Sequence, residues 1–291
     1  MNKTLSICLL SLLSLSAFAQ NGTVKESLKI HSNILNKDVS YTIYLPFDYQ
    51  TSERKYPVTY LLHGYTDNDT GWMQFGEANL IADEAINARK IPPMIIVMPD
   101  GGVSWYVNNF DGTVKYEDFF FQEFIPQIEK MYRIRGEKAY RGISGLSMGG
   151  YGSLIYSMRH PEMFVACSAF SSAIFTDEET IASPEENWKR IFSILYGPDL
   201  KGQARITEHY KSYAPIHILK KMKPETFKTV KWYLDCGDDD FLYKGNSTFH
   251  IMLNDMKLPH EFRMRDGGHT WAYWRSGLSD GLKFIGDNFH R

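Results

Sequence analysis

The chain has 291 residues, 43% of them hydrophobic and 23% charged, with a formal net charge of −2. That length and apolar share allow one large buried core. The near-neutral charge and the lack of a Lys/Arg stripe speak against a nucleic-acid partner.

The N-terminus reads as a segment outside the fold. Lys3 gives a positive start, and residues 5–15 form an apolar run too short to span a bilayer comfortably. Ala17-Phe18-Ala19 then supplies the small residues that a signal peptidase reads. The expectation is a signal peptide over 1–19, one domain over 20–291, and a secreted or periplasmic protein with no stable membrane anchor. The rival is an uncleaved anchor. After cleavage only Cys167 and Cys236 remain, too few for a disulfide framework, and both read as buried free thiols.

Partial alternation predicts strands over 27–35 and 39–45, an antiparallel edge near the N-terminus. A β-prone run over 58–62 ends at His63-Gly64. Residues 94–98 are continuously apolar and close on Pro99-Asp100-Gly101-Gly102, which predicts a strand buried on both faces. Phe120, Phe121, Phe124, Ile125, Ile128 and Met131 recur at helical spacing, so 117–132 reads as a helix, with a kink expected at Pro126. Further strands are expected over 138–144, 163–170, 229–235 and 260–265, with helices over 247–256 and from Trp271 onward. Residues 175–219 show no strand and read as a helical insertion over the sheet's upper edge. The alternation predicts an α/β fold with a mostly parallel central sheet and helices on both faces.

Gly145-Leu146-Ser147-Met148-Gly149 fits G-x-S-x-G and lies between an expected strand and a small-residue helix start. That context makes Ser147 a candidate nucleophile. The turn must push the hydroxyl out of the sheet in a strained backbone, and glycines two positions either side avoid a clash. The following helix brings N–H groups and a positive dipole end, which suit an oxyanion. The bland reading is a glycine-rich turn without chemistry.

A serine nucleophile needs an imidazole base, and the imidazole needs an orienting group. In strand–turn–helix serine hydrolases the chain order is Ser, acid, His. Among the downstream histidines, His269 sits in the loop Asp266-Gly267-Gly268-His269 after a strand and before an aromatic helix start. The acid falls in Cys236-Gly237-Asp238-Asp239-Asp240-Phe241, where three aspartates compete and the residues alone do not choose. The backbone N–H groups of Tyr65 and Met148 are the expected oxyanion donors, with His63 structural. Trp72, Trp105, Tyr106, Trp271 and Trp274 sit near expected strand C-terminal ends. Of these, Trp72, Trp105, Tyr106 and Trp271 are the substrate-binding candidates, with core packing the rival for each. No metal-ligand spacing emerges, and no cofactor is implied.

The segments Leu61-Leu62-His63-Gly64, Met98-Pro99-Asp100-Gly101-Gly102, Gly145-Leu146-Ser147-Met148-Gly149-Gly150, Cys236-Gly237-Asp238-Asp239-Asp240-Phe241 and Gly268-His269-Thr270-Trp271 span nearly the whole mature chain. In that order the sequence resembles the esterase D-like α/β-hydrolases, particularly the first carbohydrate esterase family of feruloyl and acetylxylan esterases. The resemblance implies Ser147 and His269 as catalytic and, through the family's C-G-x-x-D pattern, Asp240 as the acid, with Asp239 the alternative. It implies hydrolysis of feruloyl or acetyl esters of plant cell-wall polysaccharide through an acyl-enzyme. The competing readings are a broad short-chain acyl esterase, an acyltransferase with the same triad, a prolyl-type peptidase and a non-catalytic glycan-binding protein.

Overall fold

The computed structural model describes residues 20–290, so the expected signal peptide over 1–19 lies outside them. Two strands open the chain, β1 (Thr23–Ser32) and β2 (Lys37–Leu45), and they pair antiparallel. β1 starts earlier than its apolar pattern predicts. A bulge between Lys25 and Leu28 lets it keep pairing with β2 through its polar half. Then come β3 (Val58–Leu62), β4 (Ile95–Pro99), β5 (Arg141–Leu146) and β6 (Ala166–Phe170), each buried at every position. Successive side chains of a strand face opposite sides, so complete burial means both faces of the sheet are covered. β7 (Lys231–Gly237) and the exposed edge strand β8 (Glu261–Arg265) complete one sheet of order β1-β2-β4-β3-β5-β6-β7-β8. β2 runs antiparallel to β4, and every pairing from β4 to β8 is parallel. This is an α/β-hydrolase fold.

One face of the sheet packs on the helix Met148–Arg159, in a core that includes Tyr60, Leu62, Ile143, Leu154 and Ile155. The other face packs on the helix Trp271–Asn288, through Leu61, Ile96, Leu278, Leu282 and Ile285. Topology sets the site. From β3 the chain steps to β4 on one side and then to β5 on the other, and this reversal opens a crevice at the strands' C-terminal ends. In register, Leu62 lies beside Gly145, which puts the two following loops next to each other.

Several local expectations shift. The stretch over 138–144 begins as a short 3-10 turn, Lys138–Tyr140, before β5. The helix expected over 117–132 contains a π turn, Phe120–Phe124, ahead of Pro126. Proline stands in the first turn of the next segment, Ile125–Met131, where a missing N–H costs least. The helix Ala78–Asn87 was not foreseen, because its buried positions are mainly alanines, Ala78, Ala82 and Ala85, which give little apolar contrast. Residues 175–219 are helical, as expected of an insertion, with Asp177–Ala182, the π turn Trp188–Phe192 and Pro215–Lys221 among their segments. Cys167 and Cys236 are buried and unpaired. Burial pushes the Cys167 thiol up to about 12.

Candidate active site

β5 delivers Ser147 at φ 54°, ψ −116°, a left-handed conformation that side chains other than glycine seldom adopt. Its own backbone holds it there: the N–H donates to the Phe170 carbonyl at 2.9 Å, and its carbonyl accepts from Ala173 N–H at 3.1 Å. The flanking glycines are dictated by contact. A Cβ on Gly145 would lie 2.4 Å from the Gly149 carbonyl oxygen, and one on Gly149 would lie 2.3 Å from that of Leu62. The hydroxyl therefore stands at the mouth of the crevice with the N-terminus of Met148–Arg159 beneath it.

Ser147 Oγ lies 2.9 Å from His269 Nε2. On the other side of the ring, His269 Nδ1 lies 2.8 Å from Asp240 Oδ2 and 3.1 Å from Oδ1. With Nδ1–H donating to the carboxylate, Nε2 is left to accept the serine proton. Asp240 is 1% exposed, and its Oδ1 also accepts the Leu242 N–H at 2.9 Å. Burial pushes this carboxyl up, but hydrogen bonds from His269, Ser171 and the Leu242 backbone outweigh it and hold the group below the usual range. Asp238 and Asp239 turn away. Asp238 Oδ1 takes the Gly267 N–H at 3.1 Å, and the Asp239 backbone N–H donates to the Gly267 carbonyl at 3.1 Å.

Those bonds lace the loop after β7 to the loop after β8. The approach is so close that a Cβ on Gly237 would sit 1.9 Å from the Gly267 carbonyl oxygen. Just below, buried Asp235 on β7 accepts three contacts from Arg265 on β8, two at 3.1 Å and one at 3.3 Å, and the hydroxyls of Tyr273 at 2.5 Å and Tyr233 at 3.1 Å. This clamp fixes the strands from which Asp240 and His269 hang. Sequence reasoning missed it, since Asp235, Arg265 and Tyr273 are far apart in the chain and match no motif.

Gly64 lies against Ser147: its Cβ position is 3.6 Å from the Ser147 Cβ. Buried His63 fixes that loop. Its Nε2 accepts the Gly101 N–H at 2.7 Å, so Nδ1 carries the proton and donates to the Gly64 carbonyl at 2.8 Å. In a trans peptide the C=O and the next N–H point opposite ways, so Tyr65 N–H is turned away from His63. Among the described residues, no protein acceptor takes the N–H of Tyr65 or Met148.

A cleft of about 820 Å³ opens above Ser147. Trp105, Phe175, Ile191 and Phe192 wall it on the insertion side, and Phe75, Phe241, Trp271 and Trp274 on the His269 side. Of the aromatics singled out in the sequence, Trp105, Trp271 and Trp274 line it. Trp72 and Tyr106 do not, which corrects their assignment to substrate. Trp72 is fully buried, donates to the Leu62 carbonyl at 2.9 Å and supports Trp271 edge-on from behind. Tyr106 is fully buried because the left-handed pair Trp105-Tyr106 turns inward, and its hydroxyl donates to the His63 carbonyl at 3.0 Å. The insertion's contribution, Phe175, Arg190, Ile191 and Phe192, went unnamed in the sequence, where nothing fixed which face of each short helix turns inward. The fold also gathers the exposed carboxylates of Asp238, Asp239 and Asp266, on the loops after β7 and β8, within 4.8 Å of one another, a grouping that linear spacing does not reveal.

The family model Esterase matches residues 32–285. This chain belongs to that esterase family. A solved ferulic acid esterase superposes with a TM-score of 0.78 at 34% identity, covering 93% of this chain and 99% of its own. An esterase of Mycobacterium tuberculosis strain H37Rv is 31% identical over 251 residues, 79% of this chain; the chain spans only 52% of that relative's length. The acetyl esterase of Caldicellulosiruptor saccharolyticus is 24% identical over 276 residues, covering 89% of this chain and 96% of its own length. The chain thus has the α/β-hydrolase fold and a serine–histidine–aspartate arrangement of serine-hydrolase type, and it is related to the feruloyl and acetylxylan esterases. Among its described residues no helix is long and apolar enough to cross a membrane.

Proposed function

We propose that this esterase is exported and hydrolyses feruloyl esters of plant cell-wall polysaccharide through Ser147, His269 and Asp240. The observation that carries the substrate is the cleft. It is walled by aromatic rings on both sides of Ser147 and is far roomier than an acetyl group requires. The likeness at 34% identity to a ferulic acid esterase supports the same choice. Export fits a polymeric substrate outside the cell, and N-terminal sequencing of the mature protein beginning at Gln20 tests it; an intact Met1 refutes it.

His269 Nε2 takes the Ser147 proton as Oγ attacks the ester carbonyl, and Asp240 stabilises the imidazolium. The carbonyl oxygen, now an oxyanion, receives the N–H groups of Tyr65 and Met148. On collapse, the C–O bond to the alcohol breaks and His269 returns its proton to the departing oxygen. Water then repeats the sequence on the acyl-enzyme, releasing the acid and restoring Ser147. Because the leaving oxygen must meet Nε2, the alcohol lies on the Phe241–Trp271 side, and the acyl group lies against Trp105, Phe175 and Phe192.

Steady-state hydrolysis of methyl ferulate, feruloylated arabinoxylan oligosaccharides and acetylated xylan tests the reading. Ferulate release with kcat/KM above that for acetyl release supports it. Acetate release without ferulate release refutes it and favours the second reading, an acetyl esterase, which the full-length likeness to the Caldicellulosiruptor enzyme supports.

A further inference from the structure

Among the described residues two arginines are buried, Arg141 and Arg205. Arg141 has the Glu129 carboxylate at 2.8 Å. Arg205, 2% exposed, has no carboxylate within ion-pair distance among the described residues. A buried charge is costly unless something replaces its water. Here backbone carbonyls do. Nε donates to Leu200 O at 3.1 Å, and Nη1 donates to Thr180 O at 3.1 Å, to Ile181 O at 3.2 Å and to Ser183 O. Three of these carbonyls close the helix Asp177–Ala182, at the end where the peptide dipoles leave negative potential. The guanidinium also lies 4.7 Å over the face of Trp188.

The far side of this arrangement is the cleft. Thr180 and Ser183, whose carbonyls Arg205 holds, line it. Trp188 donates its indole N–H to Gly197 O at 2.9 Å, and its ring packs on Phe192 at 5.7 Å between centroids. Phe192 in turn packs on Trp105 at 5.5 Å and on Phe175 at 5.4 Å. The insertion here consists of one- and two-turn helices, which do not hold a shape by themselves. One side chain thus ties the end of a short helix, the chain at Leu200 and the Trp188 turn into a single wall.

We infer that Arg205 is a positioning residue for substrate choice: its fork of bonds, capped by Trp188, fixes the insertion wall against which the acyl group packs. The inference rests on the proposed function, because it assigns that wall to a bulky acyl group. Lysine cannot replace the arginine. A compact ammonium has neither the planar fork to span four carbonyls nor the flat face to stack on an indole. The triad hangs from β5, β7 and β8, none of which Arg205 touches, so loss of the fork alters the wall and leaves the chemical groups in place.

The test compares 4-nitrophenyl ferulate with 4-nitrophenyl acetate, which share a leaving group, in Arg205→Lys and Arg205→Met. Active enzyme is titrated with a fluorophosphonate so that misfolded protein does not count. We expect kcat/KM for the ferulate to fall about tenfold or more, through KM, and for the acetate to change less than about twofold. Equal losses on both esters, or an unchanged ratio, overturn the inference. If Arg205→Met is insoluble, Arg205→Lys decides. Trp188→Leu, which removes the face beneath the guanidinium, gives the same selective loss and decides if neither arginine variant folds. If the wild-type enzyme fails to cleave ferulate at all, the proposed substrate fails. The ratio of 4-nitrophenyl octanoate to acetate then reads the wall alone, and an unchanged ratio in Arg205→Lys overturns it.

Discussion

Replacing Asp240 by asparagine changes one atom and should disable the proposed base, His269, for a reason visible in the hydrogen bonds. Oδ1 of Asp240 accepts the Leu242 N–H at 2.9 Å, and that position must stay an acceptor. The new amide therefore places its oxygen there and its NH2 at the Oδ2 position, which faces His269 Nδ1 at 2.8 Å. Nδ1 must then accept, the ring proton moves to Nε2, and the nitrogen 2.9 Å from Ser147 Oγ can no longer take the serine proton. The imidazolium also loses its counter-charge. A wrong tautomer of this kind has cost up to about ten-thousand-fold in kcat, or roughly 5 kcal/mol of barrier. The assay is kcat/KM on 4-nitrophenyl acetate at neutral pH, beside Asp239→Asn. Asp239 binds the neighbouring loop through its backbone N–H, so its side-chain change should cost less than about threefold. An Asp240→Asn enzyme within tenfold of wild type, or an equal loss in Asp239→Asn, refutes the assignment.

Ser147→Gly removes the hydroxyl and lets a residue without a side chain adopt φ 54°, ψ −116°; it should abolish turnover yet raise thermal stability by roughly 1 kcal/mol, and a lowered Tm would show that no strain is stored there. Trp271, packed between Trp72 and Phe75 on the alcohol side, should lose about tenfold in kcat/KM on a feruloylated oligosaccharide when changed to alanine and under threefold on methyl ferulate; a parallel loss would assign it to packing. Burial pushes Glu117 up, but bonds from His160, Arg159 and Tyr213 pull it down to about 2 from 4.5. Its contribution, on the order of 3 kcal/mol, is fully present above about pH 4.5 and disappears as the pH falls toward 2. The Tm gap between wild type and Glu117→Gln should therefore narrow over that interval, and a gap independent of pH would contradict the network.

Local sequence determined what local physics controls. Runs of five β-prone residues closed by turn residues are too short for a helix and suit strands covered on both faces, so β3 and β4 were legible within a residue. The turn that presents Ser147 was legible because it needs glycines where any Cβ would meet backbone, and the loop that carries His269 because it follows a strand and holds two glycines. Three adjacent aspartates were not separable by residue type, and only the family pattern pointed to Asp240. The lacing of two loops through Gly237 and Gly267 turns Asp240 inward and leaves Asp238 and Asp239 in solvent, and such lacing joins residues about thirty positions apart. Trp72 and Trp271 look alike in sequence, yet one is core and the other cleft, because burial depends on what packs above each ring. The cleft's insertion wall depends on tertiary structure more strongly still. Short helices carry little periodicity, and the side chain that holds them, Arg205, is a charged residue that sequence alone places at the surface. Its burial follows from four carbonyls and an indole that only the folded chain brings together.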